Sequence, residues 1–534
     1  MARVVRSDRE AASDRERLVA LASRVANVGL TCGGALALLV FVYFFYWYSV
    51  TGQRQFSSSF YVVFYYVLPL TLAAGLFAAL RLHPVQKMNL VMLLVASCMA
   101  VYAMELFLKW RASSFYGQPL PVMTILEDSS DPEADAAALG KEWGTQVDPR
   151  SASEVLDALR RTYPDAVPII TFSNQLFVTE PDGSVTGIEV DGRDVVPLGA
   201  VANRMTVLCN EDGQWVHYQS DSHGFNNPIE VWASAPVEIA ALGDSFTHGY
   251  CVPPGQNFVA LIRERYSATL NLGMAGDGPL MMLAKLTEYL TSLKPKVVLW
   301  FYFEGNDLDN LRAEHRSAVL RSYLQDGYTQ QSLMPQENID RAMVGEIPRL
   351  KAEGERLRTQ RLNRPLTEKL ILFAKLSTLR QRLGLVGAVE PGSTAPFEPA
   401  NMELFRDVLL QARTRVERWG GRLIFVYLPD WDRYAGNTTP QAAKRGDVID
   451  TARDLGIPVI DTVDSAFLAH GDPLSLFPFR RPGHYNAAGH RVVAEAVLEA
   501  LPTITGTSSN RARDGVRISL GPAARHVTSA WSLD

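Results

Sequence analysis

The stretch ALGDSFTHGY, residues 241–250, decides the fold, because it joins an apolar run to a polar turn. The run VEIAALGDS, residues 237–245, is mostly apolar until it reaches Gly-Asp-Ser. Runs of this kind are typical of strands that are buried on both faces. Ser245 then lies on a strand-to-loop turn, where its hydroxyl can be exposed and its N–H aimed at a carbonyl, as a nucleophilic serine requires. A plain tight turn has the same three residues, so this motif does not decide the function alone.

Four more apolar runs follow, and helical stretches separate them. They are ATLNLG, KVVLWFYFEGN, RLIFVYLPD and IPVIDT. Strands that alternate with helices and are apolar throughout predict a parallel sheet that is covered by helices on both faces. We therefore predict a doubly wound α/β domain, with its ligand at the carboxyl ends of the strands.

Candidate site residues follow three of these later strands. NLGMAGDG offers Gly276, whose N–H can approach an oxyanion because no side chain blocks it. FEGND offers Asn306, whose carboxamide N–H is a further donor. GHYNAAGH, after the fifth strand, offers His484 as a base just before a helix.

The order and spacing of these four blocks resemble the SGNH/GDSL hydrolase superfamily over residues 237–501, with an insertion inside. The resemblance implies a flavodoxin-like fold, with Ser245 as the nucleophile and His484 as the general base. It also implies an oxyanion hole formed by the Ser245 N–H, Gly276 and Asn306. The implied substrates are carboxylic esters, often acetyl groups on glycans or acyl groups on lipids. No cofactor is implied, and no cluster of ligands has convincing metal spacing, so we predict no metal.

One position departs from the superfamily pattern, in which an Asp three residues before the His orients the imidazole. Arg481 occupies that position here, and an arginine cannot accept the ring N–H. A displaced carboxylate could substitute, with Asp472 the first candidate and Asp461 or Asp430 behind it. A backbone carbonyl could instead orient His484 in a Ser–His dyad, or the site could have lost its activity.

The N-terminal part predicts a membrane anchor. Residues 25–53, 55–80 and 88–104 contain no Asp, Glu, Lys or Arg. Each of the first two runs is long enough to cross a hydrocarbon core of about 30 Å, whereas the third is only just long enough and could be a buried or re-entrant helix. We expect three transmembrane helices within residues 1–112. Six arginines precede the first run, which predicts a cytoplasmic N-terminus and an extracytoplasmic, periplasmic location for the rest of the chain.

The remaining chain divides by composition. Short β-branched and aromatic runs bounded by turn pairs predict a small β-rich element in residues 113–236: PIITF, LFVTE, IEVDG and TVLCNEDGQWVHYQ. The hydrolase-like domain is predicted for residues 237–502. It contains a charged helical insertion at about residues 311–400, either a cap or a solvated bundle. Residues 503–534 are predicted to form a loose tail.

Four cysteines fall into two pairs. Cys32 and Cys98 lie within the apolar runs, which leaves Cys209 and Cys251 in the part predicted to lie outside the membrane. An extracytoplasmic location would let this second pair persist as a disulfide.

The net charge of the chain argues against nucleic acid as a partner. The 534 residues contain 52 Lys and Arg against 57 Asp and Glu, so the net charge of −5 offers no electrostatic footprint for nucleic acid. The sequence predicts a membrane-anchored serine esterase that acts on O-acyl esters of envelope glycans or lipids. Two alternatives stay open: an O-acyltransferase of the same fold, and a catalytically silent glycan-binding scaffold.

Overall fold

A computed structural model describes most of the chain. The described residues are 2–46, 63–114, 147–148, 150–233, 236–330, 335–362, 371, 373–376, 379, 399–435 and 442–506. Most of the predicted loose tail lies outside these residues, as does much of the predicted helical insertion.

The N-terminal part contains α1 (Ala2–Phe45), a π-helical turn (Val63–Val67), α2 (Leu68–Ala79) and α3 (Pro84–Ser114). Two segments, Val19–Phe45 and Pro84–Phe107, have the length and apolar composition of a membrane span, and they match the first and third apolar runs. They support membrane association. The described part of the second run, Tyr65–Ala79, is shorter than the roughly 20 residues of a typical span, so three spans stay a prediction.

These helices expose apolar surface while they contact one another. Leu36 and Leu39 on α1 and Leu93 on α3 are each more than 60% exposed, as expected of side chains that lipid would cover. Between the helices, the Lys87 Nζ donates to Asn27 Oδ1 at 3.0 Å.

The β-rich element, defined here as the described residues from 147 to 233, begins with α4 (Ala152–Leu159). Its strands are β1 (Val167–Pro168), β2 (Val178–Thr179), β3 (Val185–Thr186), β4 (Ile188–Val190), β5 (Arg193–Val195), β6 (Met205–Cys209) and β7 (Val216–Gln219). A three-stranded sheet has the order β1-β6-β7, in which β6 and β7 are antiparallel. The prediction of a strand at PIITF is wrong over most of that segment, because the backbone enters a π-helical turn at Phe172–Leu176.

The α/β domain, defined here as the described residues from 236 to 506, is built on a parallel five-stranded sheet. Its strands are β8 (Ile239–Leu242), β9 (Thr269–Asn271), β10 (Val297–Phe303), β11 (Arg422–Leu428) and β12 (Val459–Asp461). The spatial order β12-β11-β10-β8-β9 is the flavodoxin-like order 2-1-3-4-5 read from the other edge. All five predicted strands and the doubly wound fold are therefore confirmed.

Helices cover both faces of this sheet. They are α5 (Ser245–His248), α6 (Phe258–Arg265), α7 (Pro279–Lys285), α8 (Thr291–Leu293), α9 (Asp307–Glu314), α10 (Ala318–Ser322), α11 (Gln336–Leu362), α12 (Pro399–Arg418), α13 (Trp431–Tyr434), α14 (Arg445–Asp454) and α15 (Ala487–Thr505). Strand β10 shows why both faces are apolar: Trp300 and Tyr302 enter one core, while Leu299 and Phe301 enter the other. This alternation is the period of two that a strand imposes.

One of these two cores continues into the β-rich element. Leu198 and Phe225 from that element belong to the same buried cluster as Leu270 and Met281 of the α/β domain. The described beginning of the insertion adds polar contacts, since Asp340 Oδ1 accepts a hydrogen bond from the Ala202 N–H at 3.1 Å. The β-rich element is therefore packed onto the α/β domain rather than tethered beside it.

Candidate active site

Ser245 begins α5 immediately after β8, at the carboxyl end of the sheet. Asp244 caps this short helix, and its side chain accepts a hydrogen bond from the Phe246 N–H at 3.0 Å. At Gly243, a side chain would overlap Thr247, so the tight turn requires glycine. Local capping and steric limits therefore hold Ser245 at the end of the strand.

His484 lies next to this serine. Its Nε2 is 2.8 Å from Ser245 Oγ, the distance of a hydrogen bond between a hydroxyl and an accepting imidazole. The next residue, Tyr485, is buried and donates its hydroxyl to the Pro429 carbonyl at 2.5 Å. Asn486 then caps α15 by accepting from the Ala488 N–H. The loop that holds the imidazole is thus fixed on its C-terminal side.

The other ring nitrogen of His484 contacts Glu211, a residue that the sequence reasoning missed. Nδ1 is 2.7 Å from Glu211 Oε1, and the backbone N–H of His484 donates to Glu211 Oε2 at 2.8 Å. Glu211 lies in the loop between β6 and β7, outside the α/β domain. A Cβ added at Gly483 would stand 3.0 Å from Glu211 Oε2, so glycine before the histidine leaves room for the carboxylate.

The structure contradicts the prediction that Asp472 orients the imidazole. Asp472 is instead paired with Arg480, at 2.6 Å, on the surface. The two reserve candidates are also engaged elsewhere, since Asp461 pairs with Arg445 and Asp430 caps α13. The physical reason is local: the 3₁₀ turns that follow residue 472 direct its carboxylate toward the arginine.

A disulfide joins Cys209 and Cys251, whose Cα atoms are 5.3 Å apart. Cys209 ends β6, two residues before Glu211, and Cys251 lies six residues after Ser245. The predicted pairing is thus present in the structure. It links the loop of Glu211 to the loop of Ser245.

Glu211, Cys251 and His484 place possible metal ligands within 4.8 Å of one another. Cys251 is consumed by the disulfide, and both His484 nitrogens already lie within hydrogen-bond distance of Ser245 and Glu211. Hydrogen bonding accounts for this cluster without a metal ion.

The charged groups around His484 fit its predicted role as a general base. Burial acts to lower the pKa of His484, but the charge and the hydrogen bond of Glu211 raise it above its ordinary value. Burial acts to raise the pKa of Glu211, but the charge and hydrogen bonds of His484 hold it below its ordinary value. Both shifts favour a protonated His484 beside an ionised Glu211.

The two further predicted oxyanion donors follow the strands on either side of β8. Gly276 comes after β9 with φ of 86°, and its carbonyl accepts from Asn310 Nδ2 at 3.1 Å. Asn306 comes after β10, and its Oδ1 is buried without a hydrogen-bond partner among the described residues. Ser245, Gly276 and Asn306 thus follow three neighbouring strands at one edge of the sheet, and their role as an oxyanion hole stays a prediction.

Two buried acids hold the loop of Gly276. Glu314 accepts hydrogen bonds from the N–H groups of Gly278 and Leu280, at 2.5 and 2.9 Å. Asp277 pairs with Lys285, and both side chains are fully buried. Sequence reasoning missed these residues, because acids that hold a loop leave no short motif.

A comparison with known protein families agrees with this geometry. Residues 241–492 match the GDSL-like Lipase/Acylhydrolase family. No curated protein matches the chain. A lipase/acylhydrolase from Enterococcus faecalis is a similar solved structure, with 12% identity, a TM-score of 0.27, and coverage of 50% of this chain and 96% of that one. An acetyl xylan esterase is also 12% identical, with a TM-score of 0.27 and coverage of 50% and 100%. These low values leave the assignment to the family match.

Proposed function

We propose that the chain, whose residues 241–492 match the GDSL-like Lipase/Acylhydrolase family, is a membrane-anchored serine esterase acting on O-acyl esters of envelope glycans or lipids. The 2.8 Å contact between Ser245 Oγ and His484 Nε2 carries the proposal. It supports the proposal because a nucleophilic serine and its base must lie within hydrogen-bond reach, and in doubly wound sheets ligands bind at the carboxyl edge.

The reaction then follows the serine hydrolase pattern in two steps. Ser245 Oγ attacks the ester carbonyl while its proton moves to His484 Nε2, and the N–H groups of Ser245 and Gly276 with the Asn306 carboxamide receive the oxyanion. His484 gives the proton to the departing alcohol, which leaves an acyl group on Ser245. Water, activated by the same imidazole, releases the acid and restores the serine.

Two observations support the location. The apolar segments Val19–Phe45 and Pro84–Phe107 meet the requirements of membrane spans. The Cys209–Cys251 disulfide suits an oxidising compartment, which favours the periplasmic side for the esterase domain. A periplasm-only reporter fused after Trp531 should be active, and activity of a cytosol-only reporter at that point would contradict this orientation.

An aromatic side chain beside His484 supports an acyl ester as the substrate. The Tyr250 ring lies 4.8 Å from the His484 ring, centroid to centroid, and is partly exposed. Aromatic faces with one polar edge suit a sugar ring or an acyl chain at the mouth of a site.

Labelling with a fluorophosphonate tests the proposal. The full-length protein in detergent should be labelled, and the Ser245→Ala variant should not, because the probe reacts with an activated serine. Absence of labelling in the wild-type chain would favour the catalytically silent scaffold. The scaffold alternative was favoured by Arg481, which stands where the superfamily has an orienting Asp. The carboxylate of Glu211 beside His484 weakens that alternative. Products formed with an added sugar acceptor would distinguish acyl transfer from hydrolysis.

A further inference from the structure

The carboxylate that contacts His484 comes from outside the esterase domain. Glu211 precedes the matched residues 241–492 and belongs to the β6–β7 hairpin. We infer that Glu211 is the positioning residue for His484, so that the β-rich element completes the active site. This inference rests on the proposed function, because an orienting carboxylate has a role only if His484 acts as a base.

Glu211 accepts two hydrogen bonds from His484, one with each carboxylate oxygen. Oε1 accepts from Nδ1, which fixes the tautomer in which Nε2 is free to accept the serine proton. Oε2 accepts from the His484 backbone N–H, which fixes the direction of the side chain as well. A carboxylate that makes both bonds performs the role for which the usual position offers only Arg481.

Several contacts hold the hairpin loop in place. The disulfide ties Cys209 to Cys251 on the nucleophile side. At the tip of the loop, the Gly213 carbonyl accepts from the Asp148 N–H at 2.8 Å. The Trp215 indole N–H donates to the Arg150 carbonyl at 2.7 Å. Glu211 is therefore presented by a braced loop, as a positioning group requires.

The charged surroundings decide how its removal is detected. The titratable groups that face His484 are Glu211, Asp244, Asp430, His248, His490 and Tyr250, and those that face Glu211 are His484, Asp212 and Tyr250. Among the groups that face His484, the carboxylate of Glu211 is the one that bonds its ring. Its removal should therefore lower the pKa of His484, and activity that requires neutral His484 should begin at a lower pH.

The test compares three variants of the full-length enzyme on a soluble aryl ester. Glu211→Gln should reduce kcat by up to about 10⁴-fold, the loss seen when a triad imidazole takes the wrong tautomer, with little change in KM. The acid limb of its kcat/KM profile should move to lower pH. Glu211→Asp keeps the charge and should recover part of the activity. Asp472→Asn is the matched control, because it removes a surface carboxylate near in sequence to His484, and should behave like the wild type.

Three results would overturn the inference. They are wild-type turnover in Glu211→Gln, equal losses in Glu211→Gln and Asp472→Asn, and a loss without movement of the acid limb. Thermal unfolding of each variant identifies a loss that comes from misfolding, and the partial recovery in Glu211→Asp remains decisive in that case. Full activity in Ser245→Ala would instead refute the proposed esterase itself, so the two failures are distinguishable.

Discussion

The two sides of His484 are built in different ways. On its Nε2 side, Ser245, Gly276 and Asn306 all follow strands of one parallel sheet, so the α/β fold alone brings them to the same edge. On its Nδ1 side, Glu211 arrives from an antiparallel hairpin of another element. The α/β fold alone therefore positions Ser245, the predicted nucleophile, whereas docking of the β-rich element positions the carboxylate that we infer to orient His484.

The β-rich element approaches Gly276, a predicted oxyanion donor, as well. A Cβ added at Gly276 would overlap the carboxamide of Asn174, which lies in the π-helical turn of that element. With Glu211 on one side and Asn174 on the other, the element borders the site at two places. Variants of the α/β domain and of the β-rich element should therefore differ in kind.

Replacement of the nucleophile should have the largest effect. Ser245→Ala should reduce turnover of a short-chain aryl ester by up to about 10⁶-fold, the order found when a nucleophilic serine is removed from a serine hydrolase. Because Ser245 is held by local contacts within the α/β domain, thermal unfolding should be nearly unchanged. Burst and steady-state hydrolysis measure the loss, and substantial residual turnover would contradict the assignment of the nucleophile.

Removal of a predicted oxyanion donor should cost less. Asn306→Ala should reduce kcat by about 10²–10³-fold, because one donor to the developing negative charge is lost. Asn310→Ala is a useful comparison, since this residue contacts the Gly276 carbonyl rather than the predicted oxyanion. Equal kcat in Asn306→Ala and the wild type would remove Asn306 from the oxyanion hole.

Much of the arrangement on the Nε2 side of His484 could be predicted from the sequence, but little of the arrangement on its Nδ1 side. The five buried strands and the blocks around Ser245, Gly276, Asn306 and His484 are local patterns, and one sheet brings them together. Glu211 is 34 residues before the nucleophile (245 − 211) and has no motif of its own. One signal pointed to it: a Cys209–Cys251 disulfide places every residue near Cys209 beside the nucleophile loop.

A substitution at Gly276 tests the contact between the α/β domain and the β-rich element. Gly276→Ala should lower stability by about 1–2 kcal/mol, because a side chain is disfavoured at a φ of 86°, and should also reduce turnover through the overlap with Asn174. The double variant Gly276→Ala with Asn174→Ala should recover part of the turnover but little of the stability. Thermal unfolding and kcat separate these contributions. No recovery would mean that Asn174 does not limit the space beside Gly276.

Removal of the disulfide should have the smallest effect on chemistry and a clear effect on stability. Closing the 42-residue separation between Cys209 and Cys251 is worth about 4 kcal/mol in the chain-entropy account, so the double Ser variant should unfold at a lower temperature. Glu211 keeps its hydrogen bonds to His484 but loses one anchor of its loop, so kcat should fall by about tenfold, equivalent to 1.4 kcal/mol. The matched control is the double Ser variant of Cys32 and Cys98, which are unpaired and lie in the apolar helices. If kcat falls equally in both double variants, the disulfide does not act through Glu211. If kcat falls only in the Cys209 and Cys251 variant, and removal of the disulfide adds little further loss in a Glu211→Gln background, the disulfide acts through Glu211.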